Sequence, residues 1–388
     1  MKRRLFRLQY ETDGTFAEPG SDVGARLEDG EAVDPVAALL LDEIAGMGCK
    51  QAVTHLGARQ AALGGDVVVM PFTTRTPEAI AWRLDGRDPK LVFLSRPLHT
   101  TERLDECLAA LNESLPAGAC VVCHSMTSVL RRSLIRSNYP WGVRHVLEAW
   151  EYVWHRVCPK LRLTHGLYFA LTHGKNRSFS RVEIMGRLYR AGFEVIDEQS
   201  RGGEFFVTAR KAGLPVTVPP PTGSPVIHLR RIGYGGKEIV VHKLRTMYTY
   251  SEYLQPYVYR YSKLDHGGKF KDDYRVNFWG RLLRRGWLDE LPMVWNLVRG
   301  DIKLVGVRPL SRQYFSLYSP EMQRLRTQAK PGLLPPFYYD RVTPDSLDEV
   351  QASERRYLEA YLKSPRRTDW RYFWGIVGNI VLRRKRSK

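Results

Sequence analysis

The sequence predicts two domains of mixed helix and strand: an α/β domain over residues 1–213 and an α+β domain over residues 226–388, the latter built on a β-hairpin and several helices. Three observations carry this division. A chain of 388 residues is long enough to bury two cores. Short apolar runs alternate with helical stretches through the first half, which is the rhythm of a sheet layered with helices. Between the halves, residues 214–225 read LPVTVPPPTGSP, a proline-rich linker that favours an extended spacer with no core of its own.

The first sixty residues pattern weakly, and the early glycines Gly20 and Gly24 fit no G-x-G-x-x-G loop. Asp66 to Pro71, Lys90 to Ser95 and Ala119 to Ser125 read as strands of the sheet. Ser180-Arg181-Val182-Glu183 is a capping box, opening a helix that Gly192 closes. Phe193 to Asp197 and Glu204 to Arg210 follow as two strands joined across Arg201-Gly202-Gly203. Beyond the linker, Val226 to Arg231 and Lys237 to Lys243 flank a glycine-rich turn and form a hairpin. The tyrosine-rich stretch Tyr248 to Tyr261 is expected to lie as a loop or helix over the site.

Charge is distributed unevenly. Residues 221–388 hold 32 Lys and Arg against 16 Asp and Glu, so +16 of the formal +19 belongs to the C-terminal half. Such a half suits an acidic partner, whether nucleic acid, anionic lipid or a phosphorylated small substrate. Five cysteines, an odd number and all in the first half, with no N-terminal apolar h-region, indicate reduced cytoplasmic thiols. Cys120-Val121-Val122-Cys123-His124 spells the C-x-x-C-H pattern of haem attachment, yet it sits in an apolar run that reads as a buried strand. No window approaches the roughly 18 apolar residues of a membrane-spanning helix.

The stretch RRGWLDELP sets Asp289 and Glu290 behind Arg284 and Arg285. Asp289 precedes a helical run that Gly300 ends, so it is placed to cap that helix at its N-terminus. Arg281, Arg284 and Arg285 precede the acid pair on a short helical segment, and Arg308 follows it. Guanidinium groups that bracket a helix N-terminus make a place for phosphate. Nucleic acid is not the expected partner, because these cations cluster around two carboxylates that would repel a phosphate backbone.

Several blocks then fall in order: Lys243-Leu244-Arg245-Thr246-Met247, Gly280-Arg281-Leu282-Leu283-Arg284, Leu288-Asp289-Glu290-Leu291-Pro292, Asn296-Leu297, Gly300-Asp301, Leu304-Val305-Gly306, Arg308-Pro309, Tyr318-Ser319-Pro320-Glu321 and Lys330-Pro331-Gly332. Together, over about residues 222–388, they resemble the bacterial sugar transferase family, the monotopic phosphoglycosyl transferases. That resemblance implies transfer of a sugar 1-phosphate from a UDP-sugar to a polyprenyl (undecaprenyl) phosphate, starting polysaccharide or glycoconjugate synthesis. It implies Asp289 as the nucleophile and Asp289 with Glu290 as the holders of Mg²⁺. Arg284 and Arg308 fall where phosphates and nucleotide are bound, and Lys243, Arg245 and Arg281 add to that substrate-binding set. Asp272 and Asp273 are further metal candidates.

The sequence departs from the family in four places. Gly286-Trp287 stands before Leu-Asp-Glu where the family has Thr-Ser, and Val307-Arg308-Pro309 replaces Pro-Arg-Pro. Leu333 to Tyr339 replaces the family's Ile-Thr-Gly segment, and the apolar re-entrant helix before the hairpin gives way to the proline-rich linker. Its replacement is sought at the C-terminus, where Trp370 to Leu382 runs into Arg383 to Lys388, an aromatic helix with a basic end suited to anionic lipid. The resulting expectation is a cytoplasmic protein, peripheral at the inner face of the cytoplasmic membrane. A soluble or non-polyprenyl acceptor, or a non-catalytic scaffold of polysaccharide assembly, are the alternatives.

The first half also carries a resemblance. PKLVFLSRP, LPAGACVVCHS and AGFEVIDEQSRGGEFFVTARK are similar to the middle and last elements of class I methyltransferase-like Rossmann domains. Without the glycine-rich cofactor loop, this resemblance implies a degenerate Rossmann-like domain that does not transfer methyl groups.

Overall fold

A computed structural model describes residues 34–63, 66–70, 77–221, 223–255, 257–258, 264–265, 269–270, 273–340 and 347–383. Gly20, Gly24, Asp272 and residues 384–388 of the basic tail lie outside the described residues. The chain divides into two compact units, one holding Phe16–Gly223 with Tyr248–Tyr257, the other Ser224–Met247 with Val258–Lys388.

The first unit is a five-stranded sheet in the order β1-β2-β3-β5-β4. Strands β1 (Val67–Met70), β2 (Leu91–Leu94) and β3 (Cys120–Ser125) run parallel, and β5 (Glu204–Lys211) lies antiparallel between β3 and β4 (Phe193–Arg201). The parallel strands read VVVM, LVFL and CVVCHS because helices cover both faces of such a sheet, leaving few positions for polar residues. All six residues of β3 are buried, the C-x-x-C-H run among them. Burial pushes the Cys120 thiol up to about 11 and that of Cys123 up to about 12, so both are inert core groups.

Helices α1 (Pro35–Ile44), α2 (Cys49–Leu63), α3 (Glu78–Leu84), α4 (Leu104–Glu113), α5 (Ser128–Asn138), α6 (Trp141–Glu151), α7 (Arg162–Thr172) and α8 (Arg181–Arg190) complete the unit. The Ser180–Glu183 capping box is formed at α8, with Ser180 N donating to Glu183 Oε2 over 2.7 Å. Glu183 is fully buried and also meets Arg156 at 3.2 Å and Lys160, so the cap doubles as the anchor of a buried ion cluster.

Val216 N donates to Arg190 O and Arg190 Nη2 to Val218 O, which ties the proline-rich linker along the first unit. Tyr248–Tyr257 of the tyrosine-rich stretch also belongs to this unit. Tyr250 OH donates to Asp105 over 2.8 Å, Tyr257 OH to Glu198 over 2.9 Å, and a Cβ at Gly186 would lie 2.4 Å from the Tyr250 carbonyl. Tyrosine hydroxyls that find half-buried carboxylate partners hold the segment against the unit.

The second unit begins with the hairpin β6 (Val226–Ile232) and β7 (Glu238–Leu244), paired from Val226↔Leu244 to Ile232↔Glu238. Helices α9 (Phe278–Arg285) and α10 (Met293–Arg299) follow, then the parallel pair β8 (Lys303–Val305) and β9 (Gly332–Leu334). Gly306 and Gly332 lie back to back; a Cβ on Gly332 would sit 2.1 Å from Gly306 N, so the Leu-Val-Gly and Lys-Pro-Gly blocks need both glycines to pack. Helices α11 (Pro320–Thr327), α12 (Phe337–Asp340), α13 (Leu347–Lys363) and α14 (Pro365–Arg383) close a core containing Val305, Tyr318, Met322, Tyr357, Leu358, Tyr372 and Ile376. Among the described residues no helix is long and apolar enough to cross a membrane.

Helix α14 uses two faces. Tyr372 and Ile376 are in the core, Lys303 at its base bonds Asp369 over 3.0 Å, and Asn379 Nδ2 donates to the carbonyls of Tyr338 and Tyr339. Trp370 and Trp374, at 66% and 53% exposure, face away from that core.

Candidate active site

The acid pair sits in a tight turn rather than at a helix cap. Gly286 ends α9, Trp287 adopts a left-handed conformation at φ +55°, and Leu288–Glu290 forms a single 3₁₀ turn. Helix α10 starts only at Met293, with Pro292 before it, so the expected N-cap role of Asp289 is not realised. The reason is local: the left-handed residue reverses the chain, and Pro292, lacking an N–H, is favoured just outside or at the first position of the new helix. The far end matches expectation, with Gly300 left-handed at φ +75°.

Three elements deliver cations to this turn. Lys243, on β7, donates from Nζ to Glu290 Oε1 over 2.5 Å. Arg284, in the last turn of α9, donates from Nε to Thr246 Oγ1 over 3.0 Å. Arg308, exposed in the turn after β8, is near enough that its charge acts on both Lys243 and Arg284. Its backbone is fixed from behind, where Arg326 Nη2 donates to Arg308 O over 2.6 Å and Arg326 pairs with buried Glu354.

Burial pushes the Asp289 carboxyl above the ordinary aspartate range; Lys243 pulls it back, Glu290 pushes it up again, and Arg284 pulls it down. The anion is therefore under-compensated where it stands. Adjacent Asp289 and Glu290 carboxylates fit Mg²⁺, which takes one or two carboxylates together with phosphate oxygens. Asp273 fits less well, since Arg275 already holds both its oxygens at 2.8 Å. Arg245 donates from Nε to Ser224 O over 3.0 Å and from its backbone N–H to Pro225 O, which fastens the strand end of the hairpin. Arg281 lies half-exposed one turn before Arg284.

Three positioning residues stood unassigned in the motif blocks. Asn296, fully buried, accepts from His242 N at 3.0 Å and donates to Val240 O and Asp301, which clamps α10 to β7. Gly280 lets α9 approach β7, since a Cβ there would lie 2.0 Å from the Thr246 carbonyl. Thr246 meets α9 through that same carbonyl, which accepts from Asn277 N, and through its hydroxyl. The signal was present, because all three belong to the ordered blocks, but their geometry was not.

Residues 216–362 match the bacterial sugar transferase family. The match ends before α14. The chain is 39% identical over 112 residues to the uncharacterized sugar transferase EpsL of Bacillus subtilis, covering 29% of this chain and 49% of that one. It is 35% identical over 113 residues to a UDP-glucose:undecaprenyl-phosphate glucose-1-phosphate transferase of Caulobacter vibrioides, covering 29% of this chain and 39% of the relative. It spans from about a fifth to about half the length of the curated relatives it matches. Among solved structures it is similar to an O-methyltransferase family 2 protein from Planctomyces limnophilus at 15% identity and a TM-score of 0.20, over 32% of this chain and 31% of that chain.

Proposed function

We propose that the C-terminal unit is a phosphoglycosyl transferase that moves a sugar 1-phosphate from a UDP-sugar to a polyprenyl phosphate through a covalent intermediate on Asp289. The observation that carries this reading is the half-buried Asp289 carboxylate, set between Lys243 and Arg284 in a turn fixed on both sides by α9 and α10. A carboxylate oxygen attacks the sugar-linked phosphorus, the bond from that phosphorus to the bridging oxygen breaks, and UMP leaves with that oxygen. An oxygen of the acceptor phosphate then attacks the same phosphorus, the carboxylate leaves, and a lipid-linked diphosphate sugar results.

Attack by an anion on a diphosphate needs charge neutralisation, which Lys243, Arg284 and Arg308 supply from three elements. Asp289 and Glu290 would hold Mg²⁺, whose chemistry there is to neutralise phosphate oxygens. Lys243 keeps Glu290 oriented, and Thr246 keeps Arg284 oriented.

An acceptor presented at a membrane surface is supported by what surrounds the acid pair. Trp279, Leu282, Leu291, Trp295 and Val298 are all exposed on α9, α10 and the turn between them, with Arg285 and Arg299 beside them. Apolar side chains interleaved with cations suit anionic headgroups. Trp370 and Trp374 on α14 add a second exposed aromatic pair to the unit.

The test is incubation with a panel of UDP-sugars and Mg²⁺, reading UMP release and the intact mass of the protein. A phosphosugar adduct and UMP are expected from wild type, and neither from Asp289→Asn. An Asp289→Asn protein as active as wild type, or wild type inert with every donor, would overturn the reading. Sedimentation with anionic liposomes is expected to fall when Trp279 and Trp295 are both changed to Ala; unchanged binding would remove the membrane-surface part.

A further inference from the structure

Cys49, His124 and Glu204 come from three distant points of the first unit and meet at one place. Cys49 is the first residue of α2, His124 lies near the carboxyl end of β3, and Glu204 opens β5, whose neighbour Phe205 pairs with Ser125. The cluster therefore sits at the carboxyl ends of the parallel strands, the edge where open α/β sheets hold their ligands.

The imidazole is the centre of the cluster, and the Cys49 thiol also lies 3.8 Å from Ser95 O. Cys49 Sγ lies 3.2 Å from His124 Nε2, and Glu204 Oε2 lies 3.0 Å from His124 Nδ1. Each residue offers one donor atom, and the three atoms lie within 4.8 Å of one another. The His124 side chain is only 2% exposed, and its Nδ1, 3.0 Å from Glu204 Oε2, is left without an aligned hydrogen bond. A structure that keeps a buried imidazole nitrogen in that state calls for an explanation.

We propose that Cys49, His124 and Glu204 bind a zinc-class transition-metal ion in the N-terminal unit. Thiolate, imidazole and carboxylate are the three side-chain donors zinc takes, and with one ligand atom from each residue within 4.8 Å of the others they can close on a single ion. Three protein ligands leave a fourth position for water or a small ligand, and Cys49 and Glu204, both partly exposed, give the ion a way in. The remaining four cysteines are buried, so Cys49 is the accessible thiol. The site rests on no part of the sugar-transfer chemistry, and its failure would leave that reading untouched.

The experiment uses the full chain, stripped with chelator and titrated with Co²⁺ and then Zn²⁺. One equivalent of Co²⁺ is expected, with a near-ultraviolet thiolate-to-cobalt charge-transfer band that is absent in Cys49→Ser; Glu204→Gln is expected to weaken binding at least about tenfold. Because His124 is in the core, a readout on the unaltered protein stands beside the variants: Zn²⁺ is expected to slow alkylation of Cys49 by iodoacetamide at least about tenfold, mapped by peptide mass spectrometry. Absence of stoichiometric binding, an unchanged cobalt spectrum in Cys49→Ser, or equal alkylation with and without Zn²⁺ would each overturn the proposal.

Discussion

The indole of Trp287 lies against the ring of Tyr338, with centroids 5.2 Å apart and planes tilted by 39°. Trp287 replaces one element of the sugar transferase pattern and Tyr338 belongs to the segment that replaces another, so two departures separated by fifty residues are one contact. Helix α14 stands behind it. Asn379 holds the Tyr338 and Tyr339 carbonyls, and Gly375 is required because a Cβ there would lie 2.3 Å from the Tyr339 ring.

Trp287 holds its left-handed backbone without glycine's freedom. Trp287→Gly and Trp287→Ala both lose the ring, but only glycine adopts that conformation without steric cost. Trp287→Gly is therefore expected to be more stable than Trp287→Ala by about 1 kcal/mol in urea unfolding. The reverse order would show that the turn relaxes once the indole is gone.

The acid limb of the pH–rate profile for UMP release is expected to follow Asp289, whose carboxylate is lost as pH falls through its raised pKa. Lys243 lowers that pKa and Glu290 raises it. Lys243→Met should thus move the limb to higher pH and Glu290→Gln to lower pH. Shifts of the same sign in both variants would show that the limb belongs to another group. Stability follows the same sign: because the buried anion is disfavoured above the raised pKa, Asp289→Asn is expected to melt no lower than wild type near neutral pH, with the difference closing in acid.

Gly280→Ala is expected to cost at least about 2 kcal/mol and most of the activity, since the added carbon overlaps the Thr246 carbonyl and pushes Arg284 from its place. Thr246→Val keeps the close approach and removes only the hydroxyl, so it should raise KM with little loss of stability. If Gly280→Ala folds and turns over as wild type does, α9 is not held as described.

Glu183→Gln is expected to destabilise the first unit by about 3–5 kcal/mol, because it strands Arg156 and Lys160 beside a neutral side chain. Burial alone would raise the Glu183 carboxyl, but Arg156 and Lys160 hold it well below the usual glutamate range. Its contribution is thus present above the ordinary glutamate pKa and lost as pH falls toward the depressed one. A urea series from neutral to acid pH checks this: wild type should converge on Glu183→Gln, and a constant gap would contradict it.

What could be read along the chain was whatever one segment decides for itself. Buried strands announced themselves as VVVM, LVFL and CVVCHS, the α8 capping box as Ser180 and Glu183, and the hairpin turn by its glycines. The acid pair and its arginines were legible because they sit within a few residues of one another or in ordered blocks. Local pattern failed where a distant partner outbid it. Asp289 reads as a cap, but Trp287 turns the chain first, and nothing local in Tyr248–Tyr257 shows that Asp105 and Glu198 hold its hydroxyls.

The sequence by itself determined the two-part organisation, the strands and the residue types of the site, since hydrophobic period, turn residues and motif order are properties of neighbours in the chain. Only the tertiary structure decided that Lys243 orients Glu290, that Trp287 meets Tyr338, and that Cys49, His124 and Glu204 converge. Those relationships join residues from about fifty to more than a hundred and fifty positions apart, and such contacts are set by packing around a shared core, which no local pattern encodes.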